Sequence, residues 1–328
     1  MISRRRFAIA LGAVALVAPR VPFGQRPGKV WRVGVLRPGP DDAVFRENIA
    51  PFVAALREFG IAEGTNLVLE YRVRPGTPDE LLALANDLLR VKVDTILALA
   101  TAGVTAAAKS TAIIPIVAID LESDPIAQKL AASLARPGGN ITGLFLDFPE
   151  LSGKWLQMLQ GVVPKLARAA VLWDPATAPY QIKGAESAGE SMRVQIFRYE
   201  VRNPAEIERA FQAGEREKVE AVLALTSPVL NSARKQIAAL ALKHRLPTIM
   251  PFPNFADDGG LMAYGPHLTS MFRQAAGVMA KVLQGVRPAD IPIERPTRFE
   301  LTINMKTAKA LGVNIPQSIL VRADRMIE

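Results

Sequence analysis

"VWRVGVLRPGPDDAVFRENIAPFVAALREFG", residues 30–60, carries the pattern on which the fold turns. Its opening "VWRVGVL" is a short β-rich run that ends in the turn Arg37-Pro38-Gly39-Pro40, and from Phe45 apolar residues return at helical spacing until Gly60 closes the segment. Strand, turn and helix follow in that order. The alternation recurs in "NLVLEYRV" then "TPDELLALANDLLRV", in "VDTILALA" then "TAGVTAAAKS", and in "IPIVAID" then "DPIAQKLAASLA". Thr77 with Glu80 makes a capping box, with Pro78 at the first helical position. "TILALA" and "IPIVAI" are nearly continuous apolar runs, as parallel strands covered by helices on both faces must be. Residues 29–143 read as one doubly wound α/β unit.

After "RPGGNITGLFLDFPELSGK" the rhythm restarts. "ARAAVLW" leads to a helical segment near 181–190, "RVQIFRYEV" to "NPAEIERAFQAGERE", and "VEAVLAL" to "SPVLNSARKQIAALALKHR", with "LPTIM" next. A second α/β lobe of similar size is the economical reading. The helix "LTSMFRQAAGVMAKVLQG" and the strand-like "RFELTIN" have no home in a completed second sheet, so the chain is expected to cross back between lobes. The expectation is an α/β fold of two doubly wound parallel-sheet lobes joined by a hinge. Residues 29–143 plus about 266–290 form the first lobe, and 144–265 plus about 291–328 the second.

The N-terminus speaks to location. "SRRRFAIALGAVALVAPR" sets three arginines before an apolar run, Phe7 to Ala18, that is short of the roughly 20 residues a membrane-spanning helix needs. It has the layout of an export signal, and Ser3-Arg4-Arg5-Arg6-Phe7 fits the twin-arginine pattern, with cleavage expected between Ala18 and Gly28. Residues 1–28 hold five arginines and no acid, so their removal takes the formal charge from +9 to about +4. The remaining basic residues are interspersed with acids and lack aromatic interleaving, which argues against nucleic acid as a partner. There is no cysteine, so neither a lipid-anchored lipoprotein nor a disulfide is possible. A periplasmic protein with no membrane anchor in its mature form is expected.

"LARPGGNITGL", "ELSGKWLQML", "VLWDPATAP", "KHRLP", "DDGGLMAYGP" and "PTRFELTINMKTAKALGVNIPQSILVRADRMIE" together resemble the substrate-binding proteins of ABC-type uptake systems, in the family with tryptophan- and tyrosine-binding members. The likeness runs from Val30 to Glu328. It implies a type I periplasmic-binding-protein fold, a monomer whose lobes close over a small solute, an amino acid or related carboxylate, and deliver it to an ABC-type membrane permease.

Ligands of open parallel α/β sheets bind beyond the carboxyl ends of the strands, where helix N-termini present free amides. In the first lobe this selects the loops Arg37-Pro38-Gly39, Thr101-Ala102-Gly103 and Glu122-Ser123-Asp124. The amides of Ala102 and Gly103 suit a ligand carboxylate, although Thr101 equally caps its own helix and Gly103 equally serves packing. Asp124 suits a ligand amine or caps the helix opened by Pro125, and the resembling family usually has glycine where Ser123 stands. In the second lobe Asp174, Tyr180, Thr226, Ser227 and Phe252 fall on the corresponding loops. Tyr180 is the preferred aromatic clamp, since Trp173 ends a buried strand.

Catalytic chemistry finds little support. With no cysteine and only His244 and His267, no thiolate or multi-histidine metal site can be assembled, and no cofactor is implied. The chain has no G-x-S-x-G elbow, no G-x-x-x-x-G-K-[ST] loop and no G-x-G-x-x-G after a strand. A periplasmic ligand-sensing module that signals to a membrane receptor is the alternative function, and a hydrolase on the same scaffold is the remaining one.

Overall fold

The opening run of the alternation is β1 (Trp31–Arg37), and the helical segment after it is α1 (Ala43–Glu58), where the Asp42 side chain accepts the Phe45 N–H at 2.9 Å. The computed structural model describes residues 29–146, 149–177 and 179–328, so the export signal expected over residues 1–28 lies outside the described residues. There follow β2 (Leu67–Val73), α2 (Pro78–Arg90), β3 (Thr95–Leu99), α3 (Ala100–Ser110), β4 (Ile116–Asp120) and β5 (Ile141–Phe145). The capping box at the start of α2 is formed, with Glu80 N–H donating to Thr77 Oγ1 at 3.3 Å and Thr77 N–H to Glu80 Oε2 at 2.7 Å.

These five strands pair in parallel in the order β2-β1-β3-β4-β5. Every residue of β3 and β4 is buried, as coverage on both faces requires. Gly143 of β5 has φ +131°, and a Cβ there would stand 2.1 Å from the Ala118 carbonyl oxygen, so this strand reaches β4 only with glycine. One sequence expectation is corrected: "DPIAQKLAASLA" is a set of turns, not a helix. Lys129 turns into the left-handed region at φ 58°, and beyond it Ala132 N–H bonds to Pro137 O in a local loop while Leu134 O accepts from the distant Ile293 N–H.

The second half runs α4 (Pro149–Val162), β6 (Arg168–Trp173), α5 (Tyr180–Met192), β7 (Gln195–Glu200), α6 (Ala205–Arg216), β8 (Ala221–Ala224), α7 (Pro228–Ser232) and α8 (Arg234–Lys243). It continues through β9 (Thr248–Met250), α9 (Asn254–Asp257) and β10 (Met262–Pro266). Then come α10 (Leu268–Leu283), β11 (Phe299–Asn304), α11 (Met305–Leu311), α12 (Gln317–Leu320) and β12 (Arg325–Ile327). The second sheet has the order β12-β11-β10-β9-β8-β6-β7, with β11 antiparallel to β10 and the other pairs parallel.

Three chain crossings join the lobes. The first follows β5. The second leads from β10 into α10, which packs on α1 and over β3, β4 and β5 of the first lobe, with Arg273 paired to Glu58 at 2.7 Å. After α10 the chain lies beside β5, where Glu294 N–H donates to Gly143 O at 2.9 Å and Phe145 N–H to Glu294 O at 3.0 Å. It therefore stays with the first sheet as far as Glu294 and makes its third crossing into β11.

Candidate functional site

Between the carboxyl ends of the two sheets lies a cavity of about 90 Å³, several times the ~10–15 Å³ that one water needs. The first lobe supplies Arg37 from the end of β1, Phe45 and Asn48 from α1, Leu99 and Ala100 at the β3–α3 junction, and Ile119, Leu121 and Glu122 around the end of β4. The second supplies Thr226, Ser227, Pro228 and Asn231 after β8, and Phe252 after β9. Leu268, Met271 and Phe272 of α10 complete the wall. The lobes touch here, since a Cβ on Gly39 would stand 2.8 Å from Pro228 Cβ.

Arg37 dominates the electrostatics. Its residue is 6% exposed, Nη1 donates to the Pro40 carbonyl at 2.6 Å, and Cζ lies 4.9 Å from the centre of the Phe45 ring. Burial pulls its pKa down from 12.5 to about 10, against the opposing pull of Asp42, Asp41 and Glu122. Among the described residues it enters no ion pair. A buried cation with donors to spare is a receptor for an anion.

The amides of α3 tell a different story from the one expected. Thr101 N–H faces Glu122 Oε2 at 3.3 Å, and the Thr101 hydroxyl donates to Asp120 Oδ1 at 2.8 Å. The protein's own Glu122 therefore occupies the helix terminus that sequence assigned to a ligand carboxylate. Thr101, Ala102 and Gly103 do not line the cavity. A Cβ on Gly103 would stand 3.2 Å from both Leu36 O and Pro38 Cδ, so Gly103 and Pro38 are packing partners. Burial, and next the charge of Asp120, hold the Glu122 carboxyl well above its usual range. Asp120 is also raised by burial, while its oxygens accept from the Glu122 N–H at 3.0 Å and the Ser123 hydroxyl at 2.5 Å.

Ser123 and Asp124 border another cavity of about 140 Å³, walled by Phe145, Ile293 and Arg295 beside the hinge. Asp124 Oδ1 accepts the Ile126 N–H at 2.8 Å, the turn-capping alternative of the sequence reading. Asp174, raised by burial, accepts the Ala176 N–H at 2.9 Å and a hydrogen bond from Ser227. It stands behind the cavity wall, and Tyr180, at the start of α5, does not line the cavity either. Of the sequence-selected residues, Arg37, Glu122, Thr226, Ser227 and Phe252 meet in the cavity.

Sequence reading overlooked Phe45, Asn48, Asn231 and the three α10 residues. Their signal was present only as amphipathic helices, whose facing requires the lobes to be assembled. Ala100 was also missed: it has φ +60°, a left-handed conformation costly for a residue with a Cβ, placed at the cavity wall.

Two α/β lobes joined by three crossings, with a cavity between the carboxyl ends of their sheets, make the type I periplasmic-binding-protein fold. The family described as ABC transporter substrate binding protein matches residues 33–327, and the chain belongs to it. It is similar to a tyrosine-binding protein of Clostridioides difficile, 23% identical over 266 residues that make up 80% of this chain and 75% of that one. Two crystal structures share the fold. A conserved domain protein from Vibrio cholerae superposes with a TM-score of 0.82 at 23% identity, covering 91% of this chain and 100% of that one. An ABC domain in complex with L-Trp from Streptococcus pneumonia superposes with a TM-score of 0.80 at 19% identity, with the same coverage.

Proposed function

We propose that this protein captures a small carboxylate-bearing solute, an amino acid with an apolar or aromatic side chain, outside the cytoplasm and delivers it to an ABC-type membrane permease. It is exported by the twin-arginine route and works as a monomer. The observation that carries the reading is Arg37, buried and in no ion pair among the described residues, in a cavity whose walls include Phe45, Phe252, Met271 and Phe272. The guanidinium takes the ligand carboxylate, at about 1.5–3 kcal/mol per charge-assisted hydrogen bond. The rings and the thioether take the apolar side chain, in the manner of a site built from apolar walls and few polar groups. The two relatives named for tyrosine and bound to L-Trp support the same ligand class.

Calorimetric titration with the standard amino acids tests this. A bound ligand present at a hundredfold excess over its Kd raises stability by about 2.7 kcal/mol, so a thermal-shift screen ranks the candidates first. Arg37→Met is expected to lose the best ligand while remaining folded. Equal affinity for the ligand and its carboxamide overturns the reading.

A further inference from the structure

The same cavity holds a second charged group that the carboxylate reading leaves idle. Glu122 lines the wall, and among the described residues only one of its oxygens is engaged: Oε2 lies 3.3 Å from both the N–H and the hydroxyl of Thr101. Oε1 accepts no hydrogen bond among the described residues. Across the cleft Asn231, 8% exposed, lines the same cavity, and its Oδ1 is buried with no donor among the described residues. The site therefore presents a cation on one side and, between the lobes, acceptors that lack hydrogen.

The geometry around Thr101 also says where a proton sits. A threonine hydroxyl has one hydrogen. Its shorter contact, 2.8 Å to Asp120 Oδ1, uses that hydrogen, and Asp120 accepts two further donors from Glu122 N–H and Ser123. The 3.3 Å contact between Thr101 Oγ1 and Glu122 Oε2 is then a hydrogen bond only if Glu122 carries the proton and donates it to the threonine oxygen. The charged groups that face Glu122 agree with this. Asp120 stands beside it at the end of β4, Asp174 faces it from the second lobe, and Arg37 is the cation nearby. A second anion next to Asp120 is disfavoured until another cation arrives.

We propose that Glu122 receives the ammonium group of the solute and releases its own proton to solvent as it does so, so that the cleft selects zwitterionic amino acids over plain carboxylates. This inference rests on the carboxylate reading above. The exchange balances: the neutral carboxyl and the ligand ammonium become a carboxylate–ammonium pair, and one proton leaves. Asn231 turns its amide oxygen to the same ammonium from the second lobe, which ties proton release to closure. Affinity accordingly rises with pH until Glu122 is ionised in the empty protein.

The test is calorimetric titration of L-tryptophan and L-tyrosine, and of the deamino acid of each, in buffers of equal pH and different ionisation enthalpy. The wild type is expected to release about one proton per amino acid bound and none per deamino acid. Glu122→Gln keeps an amide oxygen for the Thr101 N–H and remains folded. It is expected to bind the amino acids about tenfold or more weakly, with no proton release, and the deamino acids unchanged. Amino-acid binding without proton release, or undiminished in Glu122→Gln, overturns the inference and leaves the carboxylate reading standing, provided Arg37→Met still loses both ligand types. If neither amino acids nor deamino acids bind the wild type, the carboxylate reading fails and the inference falls with it.

Discussion

Gln181 and Thr226 exchange two hydrogen bonds, the Gln181 Nε2 donating to the Thr226 carbonyl at 3.0 Å and the Thr226 N–H to Gln181 Oε1 at 3.0 Å. The glutamine, fully buried in the first turn of α5, thus acts as a strand partner for the loop that carries Thr226 and Ser227 into the cavity. Gln181→Ala leaves two buried backbone groups unpaired, at a cost of about 2–4 kcal/mol. Urea denaturation is expected to show that loss, together with weaker ligand binding. A stability within experimental error of wild type refutes the role.

Ala100 stands at φ +60° where the chain turns from β3 into α3. Ala100→Gly relieves the strain and is expected to change stability by no more than ~1 kcal/mol, in the favourable direction or near zero, because glycine adopts this conformation without a Cβ clash. Ala100→Val is expected to destabilise by roughly 2 kcal/mol or more, since a β-branched residue there is an outlier. Chemical denaturation of the pair checks the contrast, and equal stabilities disprove it.

The buried carboxyl of Glu122 predicts the direction of pH dependence. Its folded-state pKa is raised above the ordinary 4.5 by burial and by Asp120. Across the window between those two values the folded protein holds more protons than the unfolded chain, so stability falls as pH rises. Below the unfolded value the penalty is absent. Glu122→Gln removes the group, so the ligand-free variant is expected to gain Tm over wild type from about pH 5 upward, with the two converging toward pH 4. Parallel curves for the two proteins exclude a raised Glu122.

Gly39 meets Pro228 across the cleft. A Cβ at Gly39 would stand 2.8 Å from Pro228 Cβ and from Arg37 Nη1, so Gly39→Val props the lobes apart without touching either core. Because a ligand must favour the closed form by about 5.5 kcal/mol to move it from 1:99 to 99:1, a small clash in that form weakens binding directly. An affinity loss of about tenfold or more is expected, with unchanged Tm of the free protein and a larger radius of gyration at saturation by small-angle scattering. Wild-type affinity in this variant shows that the contact plays no part in closure.

How much of this was legible beforehand follows from where each signal is stored. The alternation of "VWRVGVL" with "FRENIAPFVAALREFG" and its repeats states the parallel α/β architecture locally, because a strand covered on both faces must be apolar throughout and its helix must be amphipathic. The carboxyl-end rule then named Arg37, Glu122, Thr226, Ser227 and Phe252, which the fold brings to one cavity, since a residue's place at a strand end is written in its own neighbourhood. What sits at the far side of a lobe is not. The segment "DPIAQKLAASLA" had helical periodicity but folds as local turns, with Leu134 O taken by the remote Ile293 N–H. The free amides of α3 were legible, whereas the competitor that fills them, Glu122, lies 21 residues away in sequence. Sequence by itself determined the class of fold, its two lobes and the strand ends that meet at the cavity between them. Tertiary structure alone decided which groups there are still free to meet a ligand, because hydrogen-bonding capacity is settled by whichever partner, near or remote in the chain, reaches each group first.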